Sequence, residues 1–137
     1  MRTAVDSSVL LDVLAGDPTF GERSRLALKD AYAAGPLIAS DIVWAEVSAT
    51  FPVGGEPGVI LRRLGIEFVP LSAEAAEVAG RKWRTYRSRG GARKDRMVAD
   101  FLIGAHAFLQ ADLLLTRDRG FFRAYFPDLK VVDPSSK

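Results

Sequence analysis

The sequence predicts an α/β fold, a small parallel sheet with helices on both faces. Two observations carry that reading: short apolar runs alternate with helix-like segments along the chain, and turn-forming residues mark the junctions. A third bears on organisation. No repeat, low-complexity tract or long linker divides the 137 residues, so one domain is expected over 1–133, with a loose tail over 134–137.

Each element has its own signal. RTAV before Asp6 is mostly apolar and reads as a first strand, and Asp6-Ser-Ser supplies helix-start chemistry for VLLDVLAG, which stops at Gly16. Phe20 to Ala34 reads as a second helix, closed by Gly35-Pro36, and LIAS as a second strand. Ser40 or Asp41 can cap a helix that carries Val43, Trp44, Val47 and Phe51 on one side. PVGGEPG breaks the chain before a short helix, VILRRLG, and a strand, IEFVP. Ser72 caps a helix with apolar residues at Ala75, Ala79, Trp83 and Tyr86. The basic loop RSRGGARKD leads into an apolar helix containing VADFLIGAHA. DLLLT then reads as a strand, RDRGFFRAYF as a helix and LKVV as the last strand.

Composition narrows the chemistry. Hydrophobic residues make up 48% and charged residues 26%, ordinary for a globular protein, and there is no cysteine, which excludes disulfides and thiolate metal sites. Asp6 and Asp12 break any signal-peptide core, and no apolar run approaches the roughly 20 residues that span a bilayer, so a cytoplasmic protein without membrane contact is expected. The net charge of +2 is unevenly spread: between Arg81 and Arg96 eight cations face one acid, leaving the remainder acidic. Such a segment suits a polyanion, although a solvated helix end and loop would look the same.

Four carboxylates stand out by position. Asp6 and Asp118 fall at the ends of strands, where open α/β sheets build their sites, and where an acid is also often a helix cap. Glu46 and Asp100 each interrupt an apolar helix, with the solvated edge of the helix as the plain alternative. His106, the one histidine, lies about 120° around the helix from Asp100 at about 100° per residue, so the two do not share a face and His106 reads as a packing residue. A paired-histidine mechanism within one chain and a cysteine nucleophile are both excluded. Neither a G-x-S-x-G turn nor a glycine-rich nucleotide cradle is present. If the four acids converge, each pair at about 4 Å repels by roughly 4 kcal/mol at an effective dielectric of 20. Cations or protons must then relieve them, and an all-oxygen site favours Mg²⁺ or Mn²⁺, ions that activate water on a phosphodiester without a histidine.

With DSSVLLDVL at Asp6–Leu14, AEV around Glu46, VADFLIGAHA around Asp100 and LLLTRDRGFF around Asp118, the chain resembles the PIN-domain nucleases, most of all the VapC-type toxins of toxin–antitoxin pairs. The resemblance spans nearly the whole chain and implies a three-layer α/β/α sandwich with a small, mostly parallel sheet. It implies an endoribonuclease dependent on Mg²⁺ or Mn²⁺, a homodimer, and a cognate antitoxin that inserts a segment near the active site. Asp6, Glu46, Asp100 and Asp118 fill the four acidic positions of the motif, with Asp6, Asp100 and Asp118 as metal ligands and Glu46 completing the shell or orienting the attacking water. Thr116, in T-x-D, would orient the site through its hydroxyl, and Arg117, Arg119, Lys94 and Arg96 would position the RNA.

Two other functions remain open. A non-catalytic RNA- or protein-binding module would keep the fold, although no acid has been lost. A phosphatase with Asp6 as nucleophile would usually carry D-x-D, and Ser8 stands at the second position.

Overall fold

The computed structural model describes residues 1–90 and 97–136. Among them, five parallel strands form one sheet: β1 (Thr3–Val5), β2 (Leu37–Ala39), β3 (Ile66–Phe68), β4 (Leu113–Leu115) and β5 (Val131–Val132). Their order is β3-β2-β1-β4-β5, so the chain winds outward from β1 to β3 and then returns to lay β4 on the other side of β1. Seven helices among the described residues connect and cover the strands: α1 (Ser7–Ala15), α2 (Gly21–Ala34), α3 (Asp41–Ser48), α4 (Pro57–Arg63), α5 (Ala73–Ser88), α6 (Met97–Gln110) and α7 (Phe121–Tyr125). This is the expected α/β/α sandwich with a wholly parallel sheet.

The sheet's three central strands are buried throughout, as strands covered on both faces must be, and their sequences TAV, LIA and LLL carry no polar alternation. The core is filled by Val9 and Leu10 of α1, Val43 and Val47 of α3, Ala75 and Ala79 of α5, and Phe101, Ile103, Ala105 and Ala107 of α6. Phe101 is completely buried and meets Phe121, Tyr125 and Tyr86 edge-on at 5.0–5.9 Å between ring centres. Gly104 lets Phe126 press against α6: a β-carbon there would lie 2.4 Å from the ring.

Side chains cap the helices as the sequence suggests. Ser40 and Ser72 accept from the backbone N–H groups of Val43 and Ala75, and Asp6 accepts from Ser7. Three boundaries differ from expectation. The helix carrying Trp44 ends at Ser48, before Phe51, where the hydroxyls of Ser48 and Thr50 bond back to the carbonyls of Trp44 and Val47. The helix after PVGGEPG begins two residues early, with Pro57 in its first turn, where its missing N–H costs nothing. The segment RDRGFFRAYF is helical only from Phe121, because Gly120 takes a left-handed conformation (φ +106°) and Asp118 turns forward to cap α7.

At the C-terminal end the Ser135 N–H and hydroxyl bond to Asp133, and Arg23 donates to the Ser135 carbonyl. No helix among the described residues is long and apolar enough to cross a membrane.

Candidate active site

The winding of the chain decides where a site can form. Because β1 is flanked by β2 on one side and β4 on the other, the helices after β1 and β4 diverge and leave a crevice at the carboxyl ends of those strands. Val5 is paired with Leu115, so Asp6 and Thr116, the next residue of each strand's continuation, stand beside one another. A cavity of about 410 Å³ opens there, lined by Asp6, Ser8, Asp100, Thr116, Asp118 and Arg119, among others.

Asp6 is its best-anchored group, only 5% exposed. Its Oδ1 accepts from the Ser7 N–H at 2.7 Å, and its Oδ2 accepts from the Thr116 hydroxyl at 2.6 Å, a short charge-assisted bond from an otherwise buried donor. Ser8 lies 3.4 Å from the same Oδ2, and its oxygen accepts the Arg117 N–H at 3.3 Å. The serines and Thr116 thus orient the carboxylate and fasten the start of α1 to the end of β4.

Asp100, half-buried in the first turn of α6, faces the same cavity. Glu46 is not among the residues lining it, but is joined to Asp6 through Ser7, whose hydroxyl lies 3.0 Å from Glu46 Oε1 and 3.4 Å from Asp6 Oδ1.

Asp118 lines the cavity while spending its charge elsewhere. Its Oδ1 accepts from the N–H groups of Gly120 (2.9 Å) and Phe122 (3.1 Å), and its Oδ2 from Arg123 (3.1 Å). The helix-cap alternative for a strand-end acid therefore describes Asp118 as it stands.

Arg117 is equally committed. Its Nε and terminal nitrogen donate to the two oxygens of Asp12 at 2.7 and 3.0 Å, and its guanidinium stacks on Phe20, 4.3 Å from the ring centre. Asp12, 5% exposed, also accepts from the Ser24 hydroxyl at 2.8 Å. Arg119 is exposed at the rim, whereas Lys94, Arg96 and much of the basic loop before α6 lie outside the described residues.

His106 stands apart from the acids. Only 2% exposed, it places Nε2 2.9 Å from the carbonyl of Val69, and Gln110 one turn later bonds to Pro70 and Ser72. The pair pins the connection between β3 and α5. Burial, only partly opposed by the Val69 bond, pushes the His106 pKa below its ordinary 6.5. The neutral ring is thus favoured by the fold. Its contribution to stability is present above the ordinary pKa and is lost as pH falls through the lowered one. NMR titration of the ring is expected to give a midpoint below 6.5, and His106→Gln to flatten the part of the acid melting profile that tracks that titration. A midpoint at or above 6.5 would contradict the assignment.

Sequence reasoning overlooked Asp12, Phe20 and Ser24 as supports of the site. Only the DSS run was a visible signal, and it spoke for Ser7 and Ser8 as helix-start residues, not as bridges between acids.

No three acids or histidines among the described residues are grouped so as to enclose an ion. What the cavity offers is three carboxylates on its wall, Asp6, Asp100 and Asp118, the last of which also caps α7. That fits Mg²⁺ or Mn²⁺ held by one or two carboxylates with water completing the shell, the usual manner of Mg²⁺, and does not fit an all-protein cage.

The family model of the PIN domain matches residues 3–127. The chain belongs to the PIN-domain family. Solved structures share its fold. VapBC2 from Rickettsia felis, bound to a promoter DNA fragment, superposes with a TM-score of 0.73 at 17% identity, over 97% of this chain and 98% of that one. A toxin–antitoxin complex from Klebsiella pneumoniae gives 0.71 at 24% identity, over 98% and 99%. VapC20 from Mycobacterium tuberculosis, a toxin that cleaves the sarcin–ricin loop, gives 0.61 at 18% identity, over 89% and 94%. No curated protein sequence matches. In this PIN domain the acidic cavity lies at the carboxyl ends of β1 and β4.

Proposed function

We propose that this PIN domain is a metal-dependent endoribonuclease, the toxin of a toxin–antitoxin pair, that hydrolyses RNA phosphodiester bonds in the cavity between β1 and β4. The observation that carries the reading is that Asp6 and Asp100 line one cavity at the switch point of the sheet, with Asp6 held by the Ser7 N–H and the Thr116 hydroxyl.

A divalent ion held by Asp6 and Asp100 would supply an activated water and neutralise charge on the phosphodiester. The chain's own residues prepare that place. Thr116 and Ser7 fix the direction in which Asp6 presents its lone pairs. Glu46, tied to Asp6 through Ser7, adds negative charge behind it and can orient a water. Asp118 holds the α7 turn against the cavity, and its three cap bonds leave a lone pair on Oδ2 with which it could also join an ion. Arg119 and the basic residues of α5 draw the RNA backbone, so binding weakens as salt rises. Arg117 also lines the cavity, but with its guanidinium held by Asp12 and stacked on Phe20 it supports the site rather than holding substrate.

The relatives solved as toxin–antitoxin complexes favour a cognate antitoxin for this chain, and the family resemblance a homodimer. Incubating the protein with single-stranded RNA in Mg²⁺ or Mn²⁺ is expected to give cleavage that excess EDTA abolishes and added metal restores. Cleavage that persists in EDTA, or tight RNA binding with no cleavage in any divalent metal, would overturn the proposal.

A further inference from the structure

The cavity that holds Asp6 and Asp100 has polar walls except at Phe121 and Phe122. Phe122 is 4% exposed and belongs to the core, so the apolar surface presented to a ligand comes from Phe121, which is half-buried. The position of that ring is fixed by its surroundings. Phe121 opens α7, and the backbone N–H groups on both sides of it, those of Gly120 and Phe122, are bonded to Asp118. Phe101 and Phe122 meet the ring edge-on at 5.0 and 5.2 Å, and Tyr125 lies tilted against it at 5.0 Å. A ring held this way loses little freedom when something stacks on it.

We propose that Phe121 is a substrate-positioning residue, a platform on which an unpaired RNA base stacks beside the bond to be cut. The inference rests on the ribonuclease reading and deepens it. The carboxylates repel the phosphates of an RNA strand, so a contact to its bases must help to hold it there. An aromatic face accepts any base without hydrogen-bond readout, and only a base free of a duplex can reach it. The cap at Asp118 then acquires a purpose in substrate binding, because it sets where Phe121 stands.

The experiment has two arms. In the first, Phe121→Leu, which keeps an apolar contact with Phe101 and Tyr125, and Phe121→Trp, which keeps an aromatic face, are compared in steady-state cleavage of a single-stranded oligoribonucleotide. Phe121→Leu is expected to raise KM by roughly tenfold or more with a smaller change in kcat, and Phe121→Trp to stay near the wild type. In the second, the cleavage-impaired Asp6→Asn protein with Phe121 intact is irradiated with 5-iodouridine-containing RNA, and the cross-link is expected at Phe121. A wild-type KM in Phe121→Leu, or a cross-link that maps away from α7, would overturn the assignment. The cross-link is read without turnover, so a wild-type protein that never cleaves RNA defeats the ribonuclease reading and leaves the second arm to judge Phe121 alone.

Discussion

Asp6→Asn is expected to lower metal-dependent RNA cleavage by about 10²–10⁴-fold, because charge stabilisation by a bound ion is worth several kcal/mol and each decade of rate is about 1.4 kcal/mol. The substitution isolates charge from shape. Asparagine retains an oxygen to accept the Ser7 N–H that starts α1, and its amide can donate to the Thr116 hydroxyl, which rotates to accept. The fold should therefore survive, with a melting temperature close to that of the parent. Loss of rate together with an unchanged melting transition would tie Asp6 to the chemistry. Undiminished cleavage in Mn²⁺ would remove Asp6 from it, and with it the site proposed between β1 and β4. A phosphatase with Asp6 as nucleophile would also be inactivated, but the wild type would then become phosphorylated on Asp6 during turnover, which the nuclease never does.

The sheet was legible because its central strands obey a rule that sequence displays directly. TAV, LIA and LLL are buried on both faces, and a strand with no polar alternation between two turn signals has few other places to be. Strand order is less direct. Nothing local in DLLLT says that it will pair with β1 rather than with β3; that comes from right-handed crossovers and from which helix faces are apolar. The misplaced start of α7 has a local cause. In LLLTRDRGFF a helix pattern begins at Arg117, but the carboxylate of Asp118 outcompetes the helical path by bonding three later N–H groups, and Gly120 supplies the left-handed residue that the turn requires.

The candidate site was legible as residue types and only partly as geometry. Asp6 and Asp100 could be singled out, since one sits at a strand end and the other interrupts an apolar helix. That they line one cavity depends on the packing of α6 against β1 and β4. Glu46 was also singled out, yet its link to Asp6 runs through Ser7, 39 residues away in sequence. Helix geometry alone separates His106 from Asp100, and the ring duly meets Val69, on the connection that leaves β3. Arg117 shows the opposite limit. Beside Asp118 in sequence it looks like a cation offered to RNA, while its partner Asp12 lies 105 residues earlier and gives no sign of the pairing.

Arg117→Ala is expected to destabilise the fold by about 2–4 kcal/mol, roughly a 10 °C fall in melting temperature for a domain of this size. A fully buried pair would cost about 3–5 kcal/mol to break, and the discount reflects the 20% exposure of the Arg117 side chain against 5% for Asp12. Removing the guanidinium leaves the Asp12 carboxylate buried with only the Ser24 hydroxyl to satisfy it, and strips the cation from the face of Phe20. Three elements are affected together, since Asp12 is on α1, Ser24 on α2 and Arg117 on the strand-end turn beside the cavity. Lysine is no substitute, because a single ammonium cannot reproduce the two parallel bonds to both carboxylate oxygens. If Arg117 instead held the RNA backbone, alanine would leave the melting temperature where it was, raise KM and reduce the salt dependence of binding. A double-mutant cycle with Asp12→Ala decides between the two. A structural clamp gives strong coupling in melting, with Asp12→Ala Arg117→Ala no worse than Arg117→Ala alone, because the charge that alanine at 117 strands in the core is then gone.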